Sequence, residues 1–211
     1  MPEQQPADAM LNEVDHRQGA AHDPTFAWTP QQVKDALTLG NDAYVRGAGR
    51  PPLASVEMRR RLVDDGQHPQ AVVVTCCDSR VPAASCFSAG LGNLFVVRAI
   101  GAHVGPVELA SVEYGVAHLG CPLVVVLGHT HCGMVAAAID GTADGLIGQV
   151  IAPLHEALGG EGDPRAAELC AVRLSVEAIA AAPEIARFAR TGAVEVCGAV
   201  YDIVTGAVTW L

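Results

Sequence analysis

The chain carries two short clusters of residues able to hold a metal or move a proton. The first, Cys76-Cys77-Asp78-Ser79-Arg80, directly follows the apolar run Ala71-Val72-Val73-Val74 and Thr75. The second, Gly128-His129-Thr130-His131-Cys132-Gly133, follows an apolar run at 123–127. Runs this short and rich in β-branched residues read as buried strands. A strand ending in such residues delivers them to the carboxyl edge of a sheet, where open α/β folds bind their ligands. Between them the clusters offer two thiolates, an imidazole, a carboxylate and a guanidinium. Thiolate and imidazole suit zinc, and three such donors leave one tetrahedral position over.

Neither cluster is decisive alone. A single cysteine in an apolar setting is most often a small core residue, and a bare His-x-x-Cys is common. The combination is specific: Cys76 and Cys132 each close an apolar strand, His129 and Cys132 have a chelating turn spacing, and C-x-D-S-R lies one strand away. Cys77, next along its strand, should point to the opposite face and bind nothing. His131 should diverge from His129, with a proton shuttle as its alternative role. Cys86, Cys121, Cys170 and Cys197 read as structural. His103 and His118 read as surface or helix-end residues, and Arg59-Arg60-Arg61 as a solvated helix face.

Positioning these clusters requires an alternation of strands and helices. Thr29-Pro30 supplies an N-cap and first-turn proline for a helix over 31–44. Ser55 opens a second helix through Met58, Leu62 and Val63, stopped by Gly66 and Pro69. After the first site strand, Pro82 starts a short helix, and 94–97 reads as another buried strand. Helices are predicted over 106–119, 134–139, 145–158 and 165–190, the last broken by Pro183. Two strands, 194–200 and 207–211, flank a Thr205-Gly206 turn. The pattern predicts an α/β fold with a mostly parallel central sheet covered by helices on both faces. No G-x-x-x-x-G-K or G-x-G-x-x-G phosphate loop is present.

Composition narrows the class further. At 211 residues the chain suits one domain with a sizeable core. Residues 1–28 read as a polar leader or a partner-wrapping arm, and 29–211 as a single α/β domain. Half the residues are hydrophobic but only 4% aromatic, so the core is built from Ala, Val and Leu. A formal charge of −10 argues against nucleic acid and anionic membrane as partners. No apolar run reaches the roughly 18 residues of a membrane span, and the first residues lack a secretory pattern. Seven cysteines, an odd number, read as reduced thiols in the cytoplasm.

Through these motifs the chain resembles the β-class carbonic anhydrases. Cys76-Cys77-Asp78-Ser79-Arg80 is similar to that family's C-S-D-S-R, and 128–133 to its G-H-x-x-C-G. The stretches 92–98, 108–114 and 198–202 also follow family patterns. The resemblance covers about 30–211 and implies a β-carbonic anhydrase-like fold. It makes Cys76, His129 and Cys132 the ligands of one Zn2+ per subunit, with Asp78 and Arg80 as the catalytic dyad. The implied reaction is reversible hydration of CO2 to bicarbonate and a proton. Hydrolysis of carbonyl sulfide or carbon disulfide, and a non-catalytic zinc-stabilised bicarbonate-binding role, are the alternatives. A homodimer or higher homo-oligomer is implied, with the N-terminal helices crossing onto the partner to bury Trp28, Val33, Ala36 and Leu37.

The chain also departs from the family pattern. Cys77 replaces a serine, and 98–102 lacks the usual asparagines, so substrate positioning is expected to rest on backbone groups and an apolar pocket. In some members the dyad aspartate swings onto zinc, a switch tied to a bicarbonate pocket that needs a tryptophan shortly before the first cysteine ligand. Residues 72–75 hold no indole, so Asp78 is expected to stay paired with Arg80.

Overall fold

A computed structural model describes residues 27–49 and 54–211. The expected leader over 1–28, apart from its last two residues, lies outside the described residues. Strands β1 (Ala71–Cys76), β2 (Leu94–Ala99), β3 (Leu123–His129), β4 (Glu195–Tyr201) and β5 (Val208–Trp210) form a sheet in the order β2-β1-β3-β4-β5. The first four are parallel and β5 runs antiparallel to β4. The helices are α1 (Pro30–Val45), α2 (Val56–Asp64), α3 (Ala83–Cys86), α4 (Pro106–Ala117), α5 (Gly133–Asp140), α6 (Gly145–Leu158), α7 (Pro164–Ala181) and α8 (Pro183–Ala189). The predicted α/β class holds, and Pro183 separates α7 from α8 as read from the sequence.

The two faces of the sheet follow from strand periodicity. Val72, Val74, Val124 and Val126 pack with Val112 and Val116 of α4, Val172 and Ile179 of α7, and Ile185 of α8. The alternate residues Ala71, Val73, Leu123, Val125 and Leu127 pack with Val33 and Leu37 of α1 and with Val81, Ala83 and Phe87. Every residue of β1 and β3 is buried, as their unbroken apolar runs predict. Each such valine or leucine contributes about 1.5–3 kcal/mol when fully buried. Among the described residues, no single helix is long and apolar enough to cross a membrane.

The structure differs from two of these expectations. The run at 94–97 was expected to be buried, yet β2 is an edge strand and Val96 is 38% exposed. An apolar run reveals strand propensity but not how many neighbours the strand will have. The second helix, read from the sequence through Met58, Leu62 and Val63, lies on the surface. Helix α2 buries none of its residues, and Val63 is 81% exposed. The apolar face of α1, expected to need a partner subunit, is covered within the chain: Val33 and Leu37 are 2% and 1% exposed, and Trp28 packs against the same cluster.

Helix α1 is fixed at its N-terminus and in its middle. Thr29 and Gln32 form a capping box with Pro30 in the first turn. Asn41, buried in the middle, has its amide fully used. Its Nδ2 donates to the Cys86 and Gly206 carbonyls at 2.8 and 2.9 Å, and its Oδ1 accepts from Val208 N at 2.9 Å. Beside it, Gly40 lets the helix ride directly on the chain after α3. A Cβ there would lie 1.9 Å from the Phe87 carbonyl oxygen, and backbone cannot move aside as a side chain tip can. Gly40→Ala is therefore expected to lower the unfolding free energy by about 1–3 kcal/mol, as read by urea titration.

Candidate metal centre

The sheet order places the two site clusters together. From β1 the chain passes outward to β2, then returns across the sheet to β3 on the other side of β1. At such a reversal the flanking connections diverge and leave a crevice at the carboxyl ends of the two central strands. Thr75 pairs with Leu127, so Cys76 closes β1 next to where His129 closes β3. Thr130 and His131 then turn the chain, and Cys132 becomes the N-cap residue of α5. The Cys76 and Cys132 sulfurs and a His129 ring nitrogen lie within 4.8 Å of one another, and all three residues are buried.

The polar geometry of this cluster suits a cation. His129 Nδ1 lies 2.9 Å from the Thr130 carbonyl oxygen. A carbonyl can only accept, so Nδ1 carries the proton and Nε2 presents a lone pair. That Nε2 is buried and has no hydrogen-bond partner, an orphan of the kind a metal relieves. Cys76 Sγ accepts from the backbone N–H of Asp78 at 3.4 Å and of Gly101 at 3.3 Å. Gly101 reaches this position with φ +62°, and a Cβ there would meet Met134 Cε at 1.9 Å.

The hydrogen bond from Cys132 pulls Cys76 down to about 3 against the opposing effect of burial, with His129 and the two N–H groups adding to the fall. The same pairing, followed by burial, pushes Cys132 up. Burial disfavours the charged form of His129, but the Cys76 sulfur and the Thr130 carbonyl outweigh it and raise its pKa. A divalent cation is what lets both thiols ionise with the imidazole neutral. By donor type and convergence the cluster fits Zn2+.

Asp78 and Arg80 stand beside it as a closed fork. Arg80 Nε and Nη2 donate to Asp78 Oδ1 and Oδ2 at 3.0 and 2.7 Å, and Arg80 N donates to Oδ1 at 2.8 Å. The Arg80 side-chain hydrogen bonds, then its backbone N–H, hold the carboxyl well below the usual carboxylate range. Arg80 Nη2 also donates to the His131 carbonyl at 3.1 Å. Cys77 is exposed and outside the cluster, and His131 is exposed and outside it too.

Sequence reasoning missed two residues that touch this region. Arg98, at the end of β2, donates from Nη2 to the Cys76 and Asp78 carbonyls at 2.8 and 2.7 Å and so braces the backbone of the first motif. Glu168 of α7 accepts from His131 N at 2.7 Å. The signal for Glu168 was present: it stands on the helix face otherwise formed by Ala167, Ala171, Val172, Ser175 and Ile179, a wrong place for an unpartnered carboxylate.

The turn after β4 supports the second motif. Thr130 N donates to the Tyr201 carbonyl at 3.0 Å, and Thr130 Oγ1 accepts from Ile203 N at 3.1 Å. Asp202 Oδ1 accepts from Val204 N and Thr205 N at 2.8 Å each. The Thr205 N–H, followed by that of Val204, holds the Asp202 carboxyl below its ordinary value of 3.8. A folded-state pKa below the unfolded value stabilises the fold above that unfolded value, and the contribution disappears as pH falls through the folded one. Unfolding free energy is thus expected to decline as pH drops below about 4. Asp202→Asn should flatten that decline, as measured by urea titrations above and below pH 4.

The fold and site together define an α/β protein with a Cys/His/Cys cluster at the switch point of a parallel sheet. Residues 71–208 match the family described as carbonic anhydrase. The chain belongs to the carbonic anhydrase family. It is 44% identical over 124 residues to carbonic anhydrase 2 of Mycobacterium tuberculosis, a match spanning 59% of this chain and 56% of that relative. It is 35% identical over 160 residues to a carbonic anhydrase of Pseudomonas aeruginosa, covering 67% of this chain and 73% of that one. Among solved structures it is similar to a tetrameric β-carbonic anhydrase of Sordaria macrospora, with TM-score 0.63, 26% identity, and coverage of 86% and 97% of the two chains.

Proposed function

We propose that the protein is a carbonic anhydrase that binds one Zn2+ through Cys76, His129 and Cys132 and hydrates CO2 reversibly to bicarbonate and a proton. The observation that carries this reading is the convergence of three soft donors, one of them an orphaned buried nitrogen, beside an Asp78–Arg80 fork. Zinc, when bound, supplies the Lewis acidity that makes water nucleophilic near neutral pH. Asp78 accepts a hydrogen bond from the attacking water and so turns a lone pair toward the CO2 carbon. Arg80 occupies both Asp78 oxygens, keeps the carboxylate ionised and fixes its plane. A new C–O bond forms, one C=O π pair becomes the bicarbonate charge, and the water proton leaves to solvent.

Stopped-flow measurement of CO2 hydration by metal-replete protein, set beside carbonyl sulfide and carbon disulfide hydrolysis, tests the assignment. Hydration of CO2 that vanishes on chelation and returns with zinc is the expected result. Hydrolysis of the sulfur substrates without CO2 hydration would overturn it.

The reading extends to assembly and place. Val56 and Val63 of α2 and Leu39 and Val45 of α1 are exposed apolar residues on the first two helices, which supports a homodimer or higher homo-oligomer built partly on them. The tetrameric neighbour supports the same reading. Sedimentation at micromolar concentration is expected to show no monomer, and a monomer would contradict it. Seven unpaired cysteines support a reducing, cytoplasmic location.

A further inference from the structure

We infer that Glu168 is a positioning residue, whose buried side chain on α7 holds the His131 peptide and thereby sets both the His129–Cys132 ligand turn and the Arg80 end of the fork. The inference rests on the metal-centre reading above. Glu168 is the only carboxylate among the buried polar residues described, at 6% exposure. A buried carboxylate is costly unless its hydrogen bonds serve it well. Its ion pair is loose: Oε2 lies 3.5 Å from Nη1 of Arg165, whose side chain is 45% exposed. The close contact is to the turn, with His131 N donating to Oε1 at 2.7 Å.

His131 needs such a brace. Its φ is +59°, a left-handed conformation that a residue bearing a Cβ resists. With Thr130 it turns the chain between the ligands His129 and Cys132. Its other peptide group faces the fork, since its carbonyl accepts from Arg80 Nη2 at 3.1 Å. One carboxylate therefore holds one peptide group of the residue whose other peptide group faces the dyad. The far side of the turn is held separately, by Tyr201 and Ile203 through Thr130. Glu168 is thus the tie from the helical layer.

The test is zinc affinity by chelator competition on the full chain, with the thiolate charge-transfer spectrum of the cobalt-substituted protein as a second readout. Glu168→Ala is expected to weaken zinc binding by about 10- to 100-fold and to shift the cobalt spectrum. Glu168→Gln keeps an oxygen acceptor for His131 N and should retain most of the affinity. His131→Gly added to Glu168→Ala should restore binding, because glycine adopts the turn conformation unaided. Ile179→Ala, further along α7 and 0% exposed in the wild type, should lower stability without moving zinc affinity.

Unchanged affinity in Glu168→Ala, an equal loss in Glu168→Gln, or an equal loss in Ile179→Ala would overturn the inference. Should Glu168→Ala not fold, the double variant compared with His131→Gly alone decides. The two are expected to bind zinc alike, and a loss in the double variant would refute the role. A wild-type protein that takes up no zinc at this site would instead overturn the metal-centre reading itself, and the positioning role with it.

Discussion

Cys132→Ala is expected to yield a protein that neither retains zinc nor gains stability when zinc is added. The wild type should gain about 4 kcal/mol in unfolding free energy at free zinc a thousand times its Kd. That increment arises because the converged donors exist only in the folded state: Cys76 comes from β1, His129 from β3 and Cys132 from the start of α5. Removing Cys132 leaves two donors and takes away one of the two sulfurs whose charges oppose that of the cation. The N-terminus of α5, which favours a thiolate at that position, is left with nothing to stabilise. Elemental analysis together with urea titration at fixed free zinc reads both effects. Cys77→Ser is the matched control, because Cys77 is exposed and lies outside the cluster. A Cys132→Ala protein still stabilised by zinc would refute the ligand set, and zinc loss in Cys77→Ser would point to the wrong cysteine.

Asp78→Asn should leave zinc content intact and lower CO2 hydration by about 10²- to 10⁴-fold. Both Asp78 oxygens are engaged by one guanidinium, so the carboxylate is a fixed, ionised acceptor beside the metal cluster. The amide keeps the shape but loses the charge, and one of its two terminal atoms becomes a donor aimed at a donor. The fork then opens or flips, and the acceptor that orients the attacking water is lost. Parallel metal analysis separates this from ligand loss. Full activity in Asp78→Asn would show that the water is oriented by other groups, and zinc loss would show that Asp78 belongs to the cluster.

Much of this was legible in the sequence because the informative features are local. The runs at 71–74 and 123–127 are short, apolar and β-branched, so they declare strands, and each is followed at once by its chemistry. Pro183 likewise marks a break that holds in the structure, where it starts α8. What the sequence withheld depends on contacts made at a distance. Arg98 braces residues 20 and 22 positions earlier, and Glu168 reaches His131 across 37 positions. The apolar run of β2 could not reveal that its strand would sit at an edge. The residue pattern of α2 could not reveal that the helix would bury none of its residues.

The central claim is tested most directly by titrating zinc into metal-free protein while following CO2 hydration. The rate is expected to rise in proportion to bound zinc, level off at one equivalent per subunit, and stay at the uncatalysed baseline in Cys132→Ala. Catalysis that persists in the metal-free protein, or that rises equally in Cys132→Ala, would contradict the assignment of this chemistry to Cys76, His129 and Cys132.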